Sequence, residues 1–119
     1  MKRILIVDDQ PGIRLLLVEL FQRENFETVV ASNGLEALQC VESQLLDCVL
    51  LDMKMPGMDG IEVLKKLKSD YPELPVIIMT AYDESELTNE AIEIGAVRYF
   101  AKPFDIFEVR DAVNALFKK

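Results

Sequence analysis

Residues 49–62 read VLLDMKMPGMDGIE, and how that stretch divides decides the fold. An apolar, branched run ends abruptly in a carboxylate at Asp52. A Pro56-Gly57 turn signal follows, and then Asp59-Gly-Ile-Glu62 places a capping side chain three residues ahead of a Glu. In that arrangement the aspartate oxygen accepts from early helix N–H groups while the Glu reaches back, so the stretch predicts strand, loop, helix. The same pattern recurs at Asn33-Gly-Leu-Glu36, Asp83-Glu-Ser-Glu86 and Asp105-Ile-Phe-Glu108. Pro11 suits a first helical position, where its missing N–H would have had no partner. Gly95 suits the left-handed residue just past a helix end. Five apolar runs read as strands: 4–7, 28–31, 48–51, 76–79 and 97–101. They are apolar on both faces, the signature of a parallel sheet covered on two sides. The order βαβαβαβαβα therefore predicts a three-layer α/β/α domain. Its five parallel strands take the flavodoxin-like order 2-1-3-4-5, since crossovers are right-handed.

Composition narrows the function. With 119 residues the chain has the size of one domain able to bury a core. No run approaches the ~20 apolar residues of a membrane span. Strand-like sequence begins at Arg3, which leaves no room for an export signal and predicts a cytoplasmic protein. Cys40 and Cys48 lie inside apolar patterns, not in a C-x-x-C, and read as buried, reduced thiols. A net charge of −8, from 21 acids and 13 bases, repels nucleic-acid phosphate. Histidine is absent, which removes the usual serine, cysteine and zinc catalysis and any phosphohistidine donor role.

In an open α/β sheet, ligands bind beyond the carboxyl ends of the strands. The predicted strands end in Asp8-Asp9, in Asp52, in Thr80 and in Lys102, while strand two ends at Ala31-Ser32 on the outer edge. Singly, each has an ordinary explanation as a cap, a strand end or a local counter-charge. Jointly they bring three carboxylates, a hydroxyl and an ammonium to one crevice. Three aspartates repel one another, and one lysine cannot neutralise them. An oxygen-only donor set without His or Cys selects a hard divalent cation, Mg²⁺ or Mn²⁺. With the ion on Asp9 and Asp52, a free oxygen of Asp52 could attack a phosphoryl group. Thr80 and Lys102 would then stabilise the remaining phosphoryl oxygens.

The blocks ILIVDDQ, VLLDMKMPGMDGIE, VIIMTAY and YFAKPFD resemble the four signatures of bacterial response-regulator receiver domains, and the resemblance spans essentially the whole chain. Within the family, the chain resembles the single-domain regulators of the sporulation phosphorelay. The resemblance implies that Asp52 is the phosphoacceptor. It also implies that Asp9 and Asp52 ligate Mg²⁺ with the backbone carbonyl of Lys54, and that Asp8 acts through water. Thr80 would bond the phosphoryl group and reorient, aided by the backbone N–H of Ala81. Lys102 would pair with the phosphate, and the Lys102–Pro103 bond would be cis. Tyr99 stands at the aromatic switch position, where the sporulation regulator carries a histidine. Residues 1–119 would form one receiver domain with no output domain. Implied partners are a sensor histidine kinase, a histidine phosphotransferase and a phosphatase; the protein would be a monomer.

At 100° per residue the first helix, about 11–24, gathers Ile13, Leu17, Leu20 and Phe21 into a core stripe. Leu15 and Val18 fall roughly opposite, with Leu16 on a flank. Gln10, Gly12, Ile13, Leu16, Pro103 and Phe104 would then form a rim that docks a histidine-bearing helical bundle. Two other functions compete with the relay. A diffusible module that binds a protein target when phosphorylated shares all these residues. A haloacid-dehalogenase-type enzyme would need an Asp two residues after its nucleophile, where this chain has Lys54.

Overall fold

The computed structural model describes the whole chain except Pro56, Met58, residues 82–84 and Lys119, and of Ser85 the backbone alone. The expected turn at Pro56 and the expected cap at Asp83 lie outside the described residues. Elements alternate as β1 (Arg3–Val7), α1 (Pro11–Arg23), β2 (Glu27–Ala31), α2 (Gly34–Ser43) and β3 (Cys48–Asp52). They continue with α3 (Gly60–Asp70), β4 (Val76–Ala81), α4 (Ser85–Ile94), β5 (Arg98–Lys102) and α5 (Ile106–Leu116). The parallel sheet has the order β2-β1-β3-β4-β5, as the sequence predicts.

Alternation along each strand divides the interior in two. Leu5, Val7, Val49, Leu51, Val76 and Ile78 face one way and pack with α2, α3 and Ala91 of α4. Ile4, Ile6, Cys48, Leu50, Ile77 and Met79 face the other way, against Leu17 and Phe21 of α1 and Val109 and Val113 of α5. Both faces of the central strands are therefore dry, which is why these runs carry almost no polar residue before their carboxyl ends.

Helix ends follow the sequence signals with one systematic difference. Asn33, Asp59 and Asp105 each accept a hydrogen bond from an early helix N–H, at 2.8, 3.1 and 2.8 Å. The reciprocal half of the box is not built as expected. Glu36 accepts from the N–H and hydroxyl of Ser32, one residue before the cap, and Glu62 and Glu108 make no such bond among the described residues. Pro11 takes the first position of α1 behind Gln10, whose side chain makes no cap bond. Gly95, at φ +131°, closes α4 with its N–H on Ala91 and Ile92. Asn25, at φ 67°, does the same for α1, directing the Phe26 N–H onto the Phe21 carbonyl at 2.9 Å.

In α1, Leu17, Leu20 and Phe21 are buried and Leu15 is 62% exposed, as the helical stripe requires. Val18 departs from the expected outer face: it is half-buried and packs on the α1/α5 core, because α1 lies in the groove beside α5 and covers a wider stripe. Cys48 is buried, and burial pushes its thiol up to about 12; Cys40 is only half-buried, and both are free. No helix among the described residues is long and apolar enough to cross a membrane.

Candidate functional site

Sheet register assembles the site. Val7 pairs with Leu51, Asp52 with Met79, and Thr80 with Ala101. Asp8 follows the Val7–Leu51 pair as Asp52 does, and Thr80 and Lys102 stand one and two positions beyond the Met79–Phe100 pair that is level with Asp52, where the dry layers stop. One carboxylate oxygen from each of Asp8, Asp9 and Asp52 lies within 4.8 Å of the others.

The three are not equivalent. Asp8 is fully buried, Asp52 is 3% exposed, and Asp9 faces solvent. Every polar atom of Asp8 is engaged. Its N–H donates to Ala31 at 3.1 Å, and its carbonyl accepts from the Arg14 guanidinium. Its Oδ1 accepts from the Gln10 N–H at 2.9 Å, and its Oδ2 from Lys102 Nζ at 2.8 Å. Asp52 accepts from the Lys54 N–H at 3.1 Å and from Lys102 at 3.4 Å. Lys102 therefore leans towards Asp8, and Gln10 Oε1 accepts from the same ammonium at 3.2 Å.

One ammonium does not neutralise this cluster. Burial is the main cause that pushes the Asp52 carboxyl up to about 6. The Asp8 charge adds to it, while the Lys54 N–H and Lys102 pull the other way. Three converging oxygens, two of them buried, fit a hard divalent cation, and the missing positive charge is what such an ion supplies.

Thr80 is 2% exposed at the end of β4, and its hydroxyl has no hydrogen-bond partner among the described residues. Ala81 follows it, half-buried and in register with Lys102. Tyr99 pairs with Ile78 on the adjacent strand and is 51% exposed. The Lys102–Pro103 bond is cis. Around the mouth, Gly12 and Pro103 are exposed, Leu16 is 41% exposed, and Ile13 and Phe104 are half-buried against the α1/α5 core. Gln10, expected only at the rim, also reaches into the site. Arg14 was not anticipated: its contact is a side chain on one turn reaching back to a carbonyl six residues earlier, which no residue pattern announces.

A doubly wound sheet with buried acids, a hydroxyl and a lysine at one carboxyl edge defines a class. The chain belongs to the response regulator receiver domain family, whose pattern matches residues 4–114. Among curated proteins it is 57% identical to sporulation initiation phosphotransferase F of Bacillus subtilis, over 95% of this chain and 91% of that protein. It is also 47% identical to the regulatory protein AtoC of Escherichia coli, over 90% of this chain but only 23% of that longer protein. Among solved structures, the Thermotoga maritima response regulator TrrA, in complex with Mg²⁺-BeF, superposes with a TM-score of 0.86. It is 40% identical and covers 98% of this chain and 100% of its own. A CheY-like receiver domain protein from Methanospirillum hungatei gives 0.93 at 29% identity, over 98% of this chain and 93% of that one.

Proposed function

We propose that this protein is a phosphorelay receiver. It accepts a phosphoryl group on Asp52 from a sensor histidine kinase and passes it to a histidine phosphotransferase. The observation that carries the reading is the convergence of Asp8, Asp9 and Asp52 with Lys102 and the buried Thr80. The 57% identity to a sporulation phosphotransferase supports relay over a diffusible binding module.

Asp9 and Asp52 would hold Mg²⁺ (or Mn²⁺), together with the Lys54 carbonyl and, through water, Asp8. The ion would neutralise charge on the phosphoryl oxygens. At pH 7 Asp52 is largely ionised, since its carboxyl titrates near 6. One of its oxygens attacks phosphorus, forming an O–P bond as the P–N bond to the donor histidine breaks, and the imidazole leaves with the electron pair. Lys102, already 3.4 Å from Asp52, moves onto the new phosphoryl oxygens. Thr80 donates its hydroxyl and Ala81 its N–H to the same group, and the departure of Thr80 from its buried position lets Tyr99 turn inward. Return of the phosphoryl group to a partner histidine reverses these steps.

The reading includes a monomeric, cytoplasmic protein acting as one receiver domain over residues 1–119, with a phosphatase as a third partner. It is tested by incubating the protein and Asp52→Asn with labelled acetyl phosphate and Mg²⁺, then adding a histidine phosphotransferase. Wild type should take up label and pass it on, and the variant should take up none. Labelling of Asp52→Asn at the wild-type rate would overturn the assignment, and stable complex formation without transfer would favour the binding module.

A further inference from the structure

Asp9 is the one exposed acid of the three, yet its carboxylate has to meet two buried ones. None of the hydrogen bonds that hold Asp8 and Asp52 reaches its side chain. Its direction is therefore set by the backbone that carries it, above all by the peptide joining Asp8 to Asp9. The N-terminal side of that peptide is anchored where the Asp8 N–H meets Ala31 of β2. The Asp8 carbonyl, which belongs to the same peptide plane as the Asp9 N–H, is held by the guanidinium of Arg14. Arg14 is itself fixed, since its backbone N–H makes the first helical bond of α1, to the Gln10 carbonyl at 3.1 Å. The residue is half-buried.

We infer that Arg14 is a positioning residue for the metal site: by gripping the Asp8 carbonyl it orients the Asp8–Asp9 peptide so that Asp9 points into the cluster. The inference rests on reading this cluster as the Mg²⁺ site. A carbonyl bonded to a cationic donor is held more firmly than one bonded to water. Groups that orient a ligand from outside the coordination shell typically change metal affinity 10–100-fold when removed.

Charge alone makes the opposite prediction, which is what renders the idea testable. Arg14 carries a positive charge close to the cluster, and that field reaches Glu36 on α2, where it helps to lower the carboxyl's pKa behind the larger effect of the Ser32 hydrogen bonds. If Arg14 acted only as a charge, removing it would make the site more negative and tighten Mg²⁺ binding. If it positions Asp9, removing it loosens binding despite the favourable change in charge.

The experiment is calorimetric titration of Mg²⁺ into the intact protein and into Arg14→Met, which keeps the apolar stem. Each metal-free form is also melted, and phosphorylation by acetyl phosphate is followed across Mg²⁺ concentrations. About tenfold weaker Mg²⁺ binding is expected, with a metal-free melting temperature close to wild type. The half-saturating Mg²⁺ for phosphorylation should rise in step, with the maximal rate retained. Unchanged or tighter binding would overturn the inference. Should Arg14→Met fail to fold, Arg14→Gln carries the same test, since it too is neutral and too short for the contact. A wild-type protein that binds no Mg²⁺ would instead remove the reading of the site itself, which separates the two failures.

Discussion

Asp52 illustrates how much one side chain's surroundings can change its chemistry. A strand end would normally leave a carboxyl titrating near 3.8, but burial chiefly, and the neighbouring Asp8 charge, push it up to about 6. Folding thus favours the protonated form. In metal-free protein that stabilisation is complete below about pH 4 and is lost as pH climbs through about 6. Above that, the folded state carries the ionised group at a cost of roughly 1–2 kcal/mol, after allowing for solvent screening at the mouth. Thermal melts from pH 4 to pH 8 without metal should therefore show wild type losing stability relative to Asp52→Asn, and Mg²⁺ should restore it. Parallel curves for the two proteins would contradict the assignment. The place of Asp52 in the acidic cluster was legible because it stood at the end of an apolar run. Which of Asp8 and Asp9 is buried was not legible, because two adjacent acids look alike until the chain turns and covers one of them.

Among the elements, α3 meets the segment after Asp52 through its first residue. Its first residue, Gly60, lies so close to the loop after β3 that a Cβ there would stand 2.6 Å from Met53 Cα and 2.7 Å from its carbonyl oxygen. Gly60→Ala must push α3 away from the residue directly after Asp52. A loss of about 1–3 kcal/mol is expected in denaturant unfolding, together with slower phosphorylation by acetyl phosphate. Full activity with unchanged stability would mean that the loop gives way freely. A second consequence concerns α1 and the loop after β5, where Leu16 and Phe104 flank the mouth. Alanine at both should slow phosphotransfer from a histidine partner about tenfold or more while sparing phosphorylation by acetyl phosphate, as expected when packed apolar anchors carry docking. Equal loss of both reactions would show that the two side chains support the site rather than a partner. Element positions were largely readable from the sequence, since alternating dryness and capping offsets are local signals. The bonds of Glu36 show where local reading stops. The Ser32 N–H and hydroxyl together offered a better partner than the N–H of Asn33, and that choice depends on how the chain leaves β2. Val18 was misplaced for a related reason: helical periodicity gives a direction, while the width of the buried stripe depends on what packs beside it.

For the molecule as a whole, the contact between Lys102 and Asp8 joins residues 94 apart in sequence and strands that are not neighbours in the sheet, since β3 and β4 lie between them. This gives the site a place in the order of folding. A chain that has formed β1 to β4 but not yet docked β5 holds Asp8 without its ammonium, and closing so long a loop carries an entropic cost before any return. The ion pair should therefore form after the rate-limiting step. Lys102→Met, which leaves a buried carboxylate uncompensated, is expected to destabilise metal-free protein by about 3–5 kcal/mol. Nearly all of that should appear as faster unfolding in stopped-flow denaturant jumps, with the folding rate little changed. A matching drop in folding rate would place the contact in the transition state. On this account, the ion pair that crosses the mouth of the site is also among the last contacts to report that the sheet is complete.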